Sequence, residues 1–202
     1  MSKRDVLIHT ASRLFCENGY HATGVAEILS AAGVAKGTLY QHFPSKESLI
    51  EEVLRRQGED ARVRFVSLVE QRASTARKRL LAVVEAHDEL FWGNSGYRGC
   101  PFIRAVGEFS DRAHPLHRLA SLYKRLITGY LRELARQAGA DQPDDLAEQL
   151  TLLLEGAAVM HALADSGDVT RRAAQAARIL IEAALADTPS NDKRRRAAVG
   201  QA

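Results

Sequence analysis

TGVAEILSAAGVAKGTLYQHFPSK, residues 23–46, is the stretch whose reading decides the fold. Val25, Ile28, Leu29 and Ala32 recur at the spacing of one buried helix face. Gly33 follows where a tight turn needs a residue without a Cβ, and Val34 falls where it can plug the space between two helices. A shorter helix, about Ala35 to His42, buries Leu39 and Phe43 and stops at Pro44. Thr23 suits the N-cap of the first of these helices; if Gly24 takes that place instead, Glu27 stands at the third helical position. Helix, glycine turn and short helix make a helix-turn-helix, whose second helix enters the major groove of duplex DNA.

Upstream, Leu7, Ala11, Leu14 and Phe15 form the buried face of a helix from about Lys3 to Asn18, with Gly19 placed for a left-handed C-cap. Downstream, Ser45 caps a fourth helix, Lys46 to about Ala73, with no flexible linker before it. A fifth runs from about Thr75 to Trp92, and the glycines of residues 93–100 mark a loop. Pro101 starts a short helix to about Phe109, and His114-Pro115 starts a long one to about Ala138. Gly139 to Pro143 reads as a turn, followed by helices at about Asp145 to Ala164 and Val169 to Ala186. Residues 188–202, with the Lys193–Arg196 basic run, read as a disordered tail. The fold class is all-α, about nine helices.

The chain has 202 residues, enough for a real hydrophobic core, and 46% of them are hydrophobic. Its two cysteines, Cys16 and Cys100, make no disulfide framework, and no signal peptide or apolar run of membrane-spanning length is seen, so a cytoplasmic protein without a membrane partner is expected. The formal net charge is only +3, and residues 1–50 carry five basic and four acidic side chains. DNA binding must therefore rest on where contacts are placed, not on bulk charge. Glycine-rich phosphate loops, nucleophile elbows and Ser-His-Asp orders are absent, which argues against an enzyme and against a cofactor.

Residues 7–54, through ASRLFCENGYHATGVAEILSAAGVAKGTLYQHFPSKESLIEEVL, resemble the N-terminal domain of the TetR (tetracycline repressor-like) family of bacterial transcriptional regulators. The AGVAKGTLYQHFPSKE portion is highly specific. The resemblance implies a DNA-binding domain at residues 1–46 and a helical ligand-binding and dimerisation domain at residues 47–187. It also implies a homodimer through helices eight and nine, a palindromic double-stranded operator, and repression relieved by a small-molecule effector. Rival readings are a helical small-molecule- or metal-binding protein, a transcriptional activator, and an architectural role.

Lys36, Gly37 and Thr38 sit at the N-terminal turn of the second helix, the end that meets base edges. Thr38 suits a base or thymine methyl, Gly37 close backbone approach, and Lys36 a guanine or a phosphate. Tyr40 and His42 match family positions that contact phosphates. Lys46 adds an ammonium at a helix start, and Thr23 a hydroxyl and amides. For a ligand pocket the candidates are His87, Phe91, Trp92, Phe102, Phe109, Tyr123, Tyr130, Met160 and His161, although aromatics at helical spacing are more often core. Cys100 beside Arg98 reads either as a redox thiol or, more simply, as an inert buried one. His114 and His117, with Asp111, are the one metal-like cluster, and two solvated histidines at a helix start explain them better, so no metal is expected. The small residues of the last two helices, Gly156 and Ala173 among them, suit either association or internal packing.

Overall fold

The structure, a computed structural model, describes residues 1–92, 99–163 and 168–186; the side chain of Trp92, the loop residues Tyr97 and Arg98, and the whole of the expected tail lie outside the described residues. Among those described, the chain is all α-helix: α1 Lys3–Asn18, α2 Val25–Ala32, α3 Lys36–His42, α4 Lys46–Arg72, α5 Ala76–Trp92, α6 Pro101–Glu108, α7 Pro115–Ala138, α8 Pro143–Leu163 and α9 Val169–Ala186. They form two compact units, Met1–Val66 with Leu90–Ile127, and Ser67–Glu89 with Thr128–Ala202.

In the first unit, Ser2 caps α1 by accepting the Asp5 amide at 3.1 Å. Leu7, Ala11, Leu14 and Phe15 pack with Ile28 of α2, Leu39 of α3, and Leu49, Ile50 and Val53 of α4 into one core. Gly24, not Thr23, is the N-cap of α2, and Glu27 accepts its amide at 3.4 Å. Gly33 adopts φ 63°, and the amides of Gly33 and Val34 bond back to the Ser30 and Leu29 carbonyls. Ser45 accepts the Ser48 amide at 3.1 Å while Ser48 accepts the Ser45 amide at 3.0 Å, so a serine takes the place of the usual Glu or Gln in a reciprocal cap.

Two expectations need correction. Gly19 is not in the left-handed helical region but at φ 92°, ψ 168°, a conformation essentially open to glycine alone. A Cβ there would also stand 2.8 Å from Glu108 Oε1. And α8 begins at Pro143 itself, because proline at a first helical position forfeits no hydrogen bond; the preceding turn runs through Gly139 at φ 83°.

A buried carboxylate ties α1 to α4. Glu52 is 8% exposed and accepts Arg4 at 3.0 Å, Arg56 Nε at 2.9 Å, and Arg55. Arg56 reaches on to Asp5 at 3.0 Å. Burial pushes the Glu52 carboxyl up, but the Arg56, Arg4 and Arg55 guanidiniums together outweigh it and hold it below its ordinary value. A depressed folded value gives stability that is fully present above the unfolded value of 4.5 and is lost as pH falls through the lower folded one. Glu52→Gln is expected to cost about 1–2 kcal/mol at pH 7, discounted for the half-exposed arginines, and to flatten the acid limb below pH 4.5. Urea unfolding at pH 7 and pH 3.5 checks both; a variant as acid-sensitive as the parent contradicts the assignment.

In the second unit α8 and α9 run antiparallel, with Asp141 N bonding to the Ala184 carbonyl at one end and His161 Nε2 lying 3.0 Å from Thr170 Oγ1 at the other. Leu146, Leu150, Leu154 and Ala158 of α8 and Ala173, Ala177 and Ile181 of α9 are buried. Leu152, Val159, Met160 and Leu163 lie on another face of α8 and are exposed, Leu152 at 73% and Leu163 at 75%.

Candidate nucleic-acid interface

α3 is pinned from beneath and open above. Leu39 is fully buried and Phe43 nearly so, while Lys36, Gly37, Tyr40 and His42 are exposed and Thr38 is half-buried. The Lys36 Nζ lies 6.0 Å from the centre of the Tyr40 ring, one helical turn on, so the ammonium and the phenol share a face. His42 lies edge-on to Phe43, whose ring also carries the Arg4 guanidinium at 5.2 Å. The helix therefore presents a cation, a bare backbone, a hydroxyl, a phenol and an imidazole along one short stretch. Those are the groups that base edges and phosphate oxygens accept from.

Lys46, on the first turn of α4, donates from Nζ to the His21 carbonyl at 3.2 Å, which brings it to the turn leading into α2. Thr23 does not play the part expected of its hydroxyl. The residue is fully buried, and Oγ1 donates to the Gly19 carbonyl at 2.7 Å, with the Leu14 carbonyl at 3.3 Å. Any phosphate contact at this corner falls instead to the first-turn amides of α2, which have no acceptor within their own helix.

Sequence reasoning missed what holds this corner. Glu108, at the end of α6, accepts the Tyr20 amide at 2.9 Å and the His21 amide at 2.6 Å, and meets His21 Nδ1 at 3.1 Å. Arg104 Nη1 donates to the Phe15 and Cys16 carbonyls at the end of α1, at 2.9 and 3.0 Å. The Tyr20 hydroxyl donates to the Pro101 carbonyl at 3.1 Å. The turn between α1 and α2 is thus fastened to α6 by residues more than eighty positions away. No local signal reveals such pairings; an Arg and a Glu one turn apart on a short helix read as a solvated face.

The eight pocket candidates whose side chains are described divide between the two units, and within each they do not line one pocket. Phe91 and Phe102 line a cavity in the first unit. Phe109 packs on Tyr20, His21 and His114, and Tyr123 lies against Gly58, where a Cβ would come within 2.5 Å of its ring; both are core residues. His87, Tyr130 and His161 belong to the second unit, and Met160 lines a groove between α8 and α9. His161 meets Asp88 at 2.9 Å, and Thr170 donates to the same carboxylate at 2.5 Å. His114 accepts the Leu116 amide and stacks on Phe109, and His117 Nδ1 donates to the Phe109 carbonyl at 2.8 Å, so both rings are engaged in seating α7. Cys100 is partly buried against the core, as the N-cap residue of α6.

Comparison with known proteins matches residues 7–53 to the family described as bacterial regulatory proteins, tetR family. The HTH-type transcriptional regulator YjdC of Escherichia coli is 30% identical over 156 residues, spanning 77% of this chain and 81% of that protein. Two regulators of Mycolicibacterium smegmatis match over shorter stretches. The activator FasR is 43% identical over 48% of this chain and 44% of its own, and the repressor KstR2 is 48% identical over 27% and 26%. Among solved structures, a TetR-family transcriptional regulator from Streptomyces coelicolor superposes with a TM-score of 0.85 at 27% identity, over 91% of this chain and 96% of that one.

Proposed function

The chain belongs to the TetR family of DNA-binding transcriptional regulators, and from that premise we propose that it is a ligand-responsive repressor which grips a palindromic operator as a homodimer. Residues 1–46 read the DNA, and residues 47–187 sense the effector and form the dimer. The observation that carries the DNA-reading role is α3 itself, anchored by Leu39 and Phe43 and presenting Lys36, Gly37, Tyr40 and His42 outward, with Thr38 half-buried beside them.

Lys36, Gly37 and Thr38 meet base edges, while Tyr40, His42, Lys46 and the α2 amides hold phosphates. The second copy is seated on the exposed stripe Leu152, Val159, Met160 and Leu163, an apolar face of α8 beside the small Gly156. A two-fold protein matches a two-fold operator, with half-sites about 34–36 Å apart or a multiple of that. An effector shifts the equilibrium only as far as its affinities for the two states differ.

Mobility shift with the region upstream of the chain's own gene tests the reading. Salt-sensitive, sequence-selective retardation is expected; uniform binding of all duplexes would favour an architectural role instead. The relatives include both an activator and a repressor, so a reporter in a deletion strain decides the sign: output rises on deletion for a repressor and falls for an activator. Lys46→Ala should weaken all sequences alike and lessen the slope of log affinity against log salt by about one unit. An unchanged slope means the ammonium stays on the His21 carbonyl and meets no phosphate.

A further inference from the structure

His21 stands in the turn between α1 and α2 with its side chain 62% exposed, yet its ring is held in place. Nδ1 meets Glu108 Oε2 of α6 at 3.1 Å, and the ring packs on Phe109 with centres 4.8 Å apart. Phe109 in turn stacks on His114. With Nδ1 turned to the carboxylate, Nε2 is left on the open side, and no partner meets it among the described residues. The turn itself does not need this ring, because Glu108 already accepts the Tyr20 and His21 amides at 2.9 and 2.6 Å. An exposed histidine–carboxylate pair adds little to stability.

The same turn borders the groups placed on phosphates. The His21 carbonyl accepts Lys46 Nζ at 3.2 Å, and Gly24, three residues on, caps α2, whose first-turn amides are open. Every element packed here brings charge to the corner. α6 supplies Glu108, and α4 supplies Lys46 and Glu47, the latter 3.9 Å from His114 Nε2. α2 supplies Glu27, which accepts from Asn18 Nδ2 and the Gly24 amide. Lys46 is thus outnumbered by Glu27, Glu47 and Glu108, and a phosphate needs a second cation there. The hydrogen bond to Glu108 decides when it gets one. A carboxylate only accepts, so Nδ1 carries the proton of the neutral ring, and Nε2 is then a lone-pair acceptor that phosphate oxygens avoid. A second proton turns Nε2–H into a charge-assisted donor while Nδ1–H keeps its bond to Glu108.

We propose that His21 is a phosphate-binding residue of the DNA interface and that it binds only as imidazolium, so that affinity for duplex DNA rises as pH falls across the range in which imidazoles titrate. The inference rests on the reading of the chain as a DNA-binding regulator. Glu108 is its positioning residue, since it fixes which ring nitrogen faces outward. The contact is to the phosphodiester backbone and carries no sequence information.

Mobility shift with the full chain, at about pH 6 and about pH 8, spans the range in which imidazoles change charge. Two duplexes are used, the region upstream of the chain's own gene and an unrelated sequence. His42, also placed on a phosphate, contributes to the pH dependence of every variant, so chains are compared at one pH. His21→Gln should match the parent at the higher pH and fall about tenfold behind it at the lower, on both duplexes, with a salt slope smaller by about 0.9. His21→Lys, with a fixed charge, should exceed the parent about tenfold at the higher pH and equal it at the lower. His9→Gln, on the exposed surface of α1, should follow the parent at both. A His21→Gln chain that follows the parent at both pH values, or is weakened equally at both, overturns the assignment. So does a His21→Lys chain that gains nothing at the higher pH, or an effect confined to the upstream duplex, which would mean a base contact. A parent that retards neither duplex would sink the DNA-binding reading and this assignment with it; a parent that binds while its His21 variants track it sinks the assignment alone.

Discussion

Leu152→Glu is expected to convert the proposed dimer to a monomer and to weaken operator binding by about a hundredfold or more. Leu152 is 73% exposed on one chain, so nothing in the fold of that chain depends on it. Seated against a second copy, a leucine contributes about 2 kcal/mol by burial. Two-fold symmetry repeats the loss in the other copy, for roughly 4 kcal/mol, or about a thousandfold in dimer affinity. The two new carboxylates are also brought into a seam lined by Val159, Met160 and Leu163, where their desolvation adds to the loss, offset in part by Arg172 of the same groove. A monomer then holds one half-site without the gain of linked binding, worth about a hundredfold or more. Light scattering and mobility shift read the two effects, and melting temperature should scarcely move on the single-chain level. A variant that remains dimeric places the interface elsewhere than the α8 stripe.

Gly37→Ala is expected to split stability from function. Gly37 lies in α3, is exposed, and a Cβ built there meets nothing within 4 Å. Its own fold does not require glycine; alanine at a helical position should raise stability by about 0.5–1 kcal/mol. If the backbone at Gly37 comes into van der Waals contact with base edges, the added methyl forces the helix outward and lengthens the neighbouring hydrogen bonds. Each of those is worth about 1–3 kcal/mol against a wrong base, so affinity for the operator should fall by roughly tenfold to a hundredfold. A more stable protein with weaker binding is the expected pair of results, read by thermal unfolding and by titration of labelled operator. Unchanged affinity removes Gly37 from the interface.

Much of the fold is legible because its helices carry local punctuation. Gly33, Pro44 with Ser45, Pro101, Pro115 and Gly139 each mark an end by a backbone property that needs no tertiary context, and the observed bounds fall within a few residues of them. Pro143 is the instructive exception, since the same residue that ends one helix can open the next. Side-chain direction is less legible. Thr23 stands where a cap or phosphate ligand belongs, yet its hydroxyl turns inward to the Gly19 carbonyl, a choice made by the shape of the α1–α2 turn. Glu108 and Gln57 were invisible for a different reason. Each is a polar residue on an amphipathic helix, and only packing tells the one that fastens a distant turn, or lines a cavity, from its many solvated neighbours. The pocket candidates followed aromatic spacing, which reports burial rather than convergence; among those with described side chains, only Phe91 and Phe102 line the pocket that Gln57 also lines.

The most direct test of the account is selection from random duplex DNA with the full chain, run in parallel with Thr38→Ala. The account predicts one enriched motif with two-fold symmetry, two half-sites about one helical turn apart or a multiple of it, and a changed base preference within each half-site for the variant. No enriched motif, a motif without two-fold symmetry, or an identical motif from Thr38→Ala with a uniform loss of affinity would contradict base reading by α3.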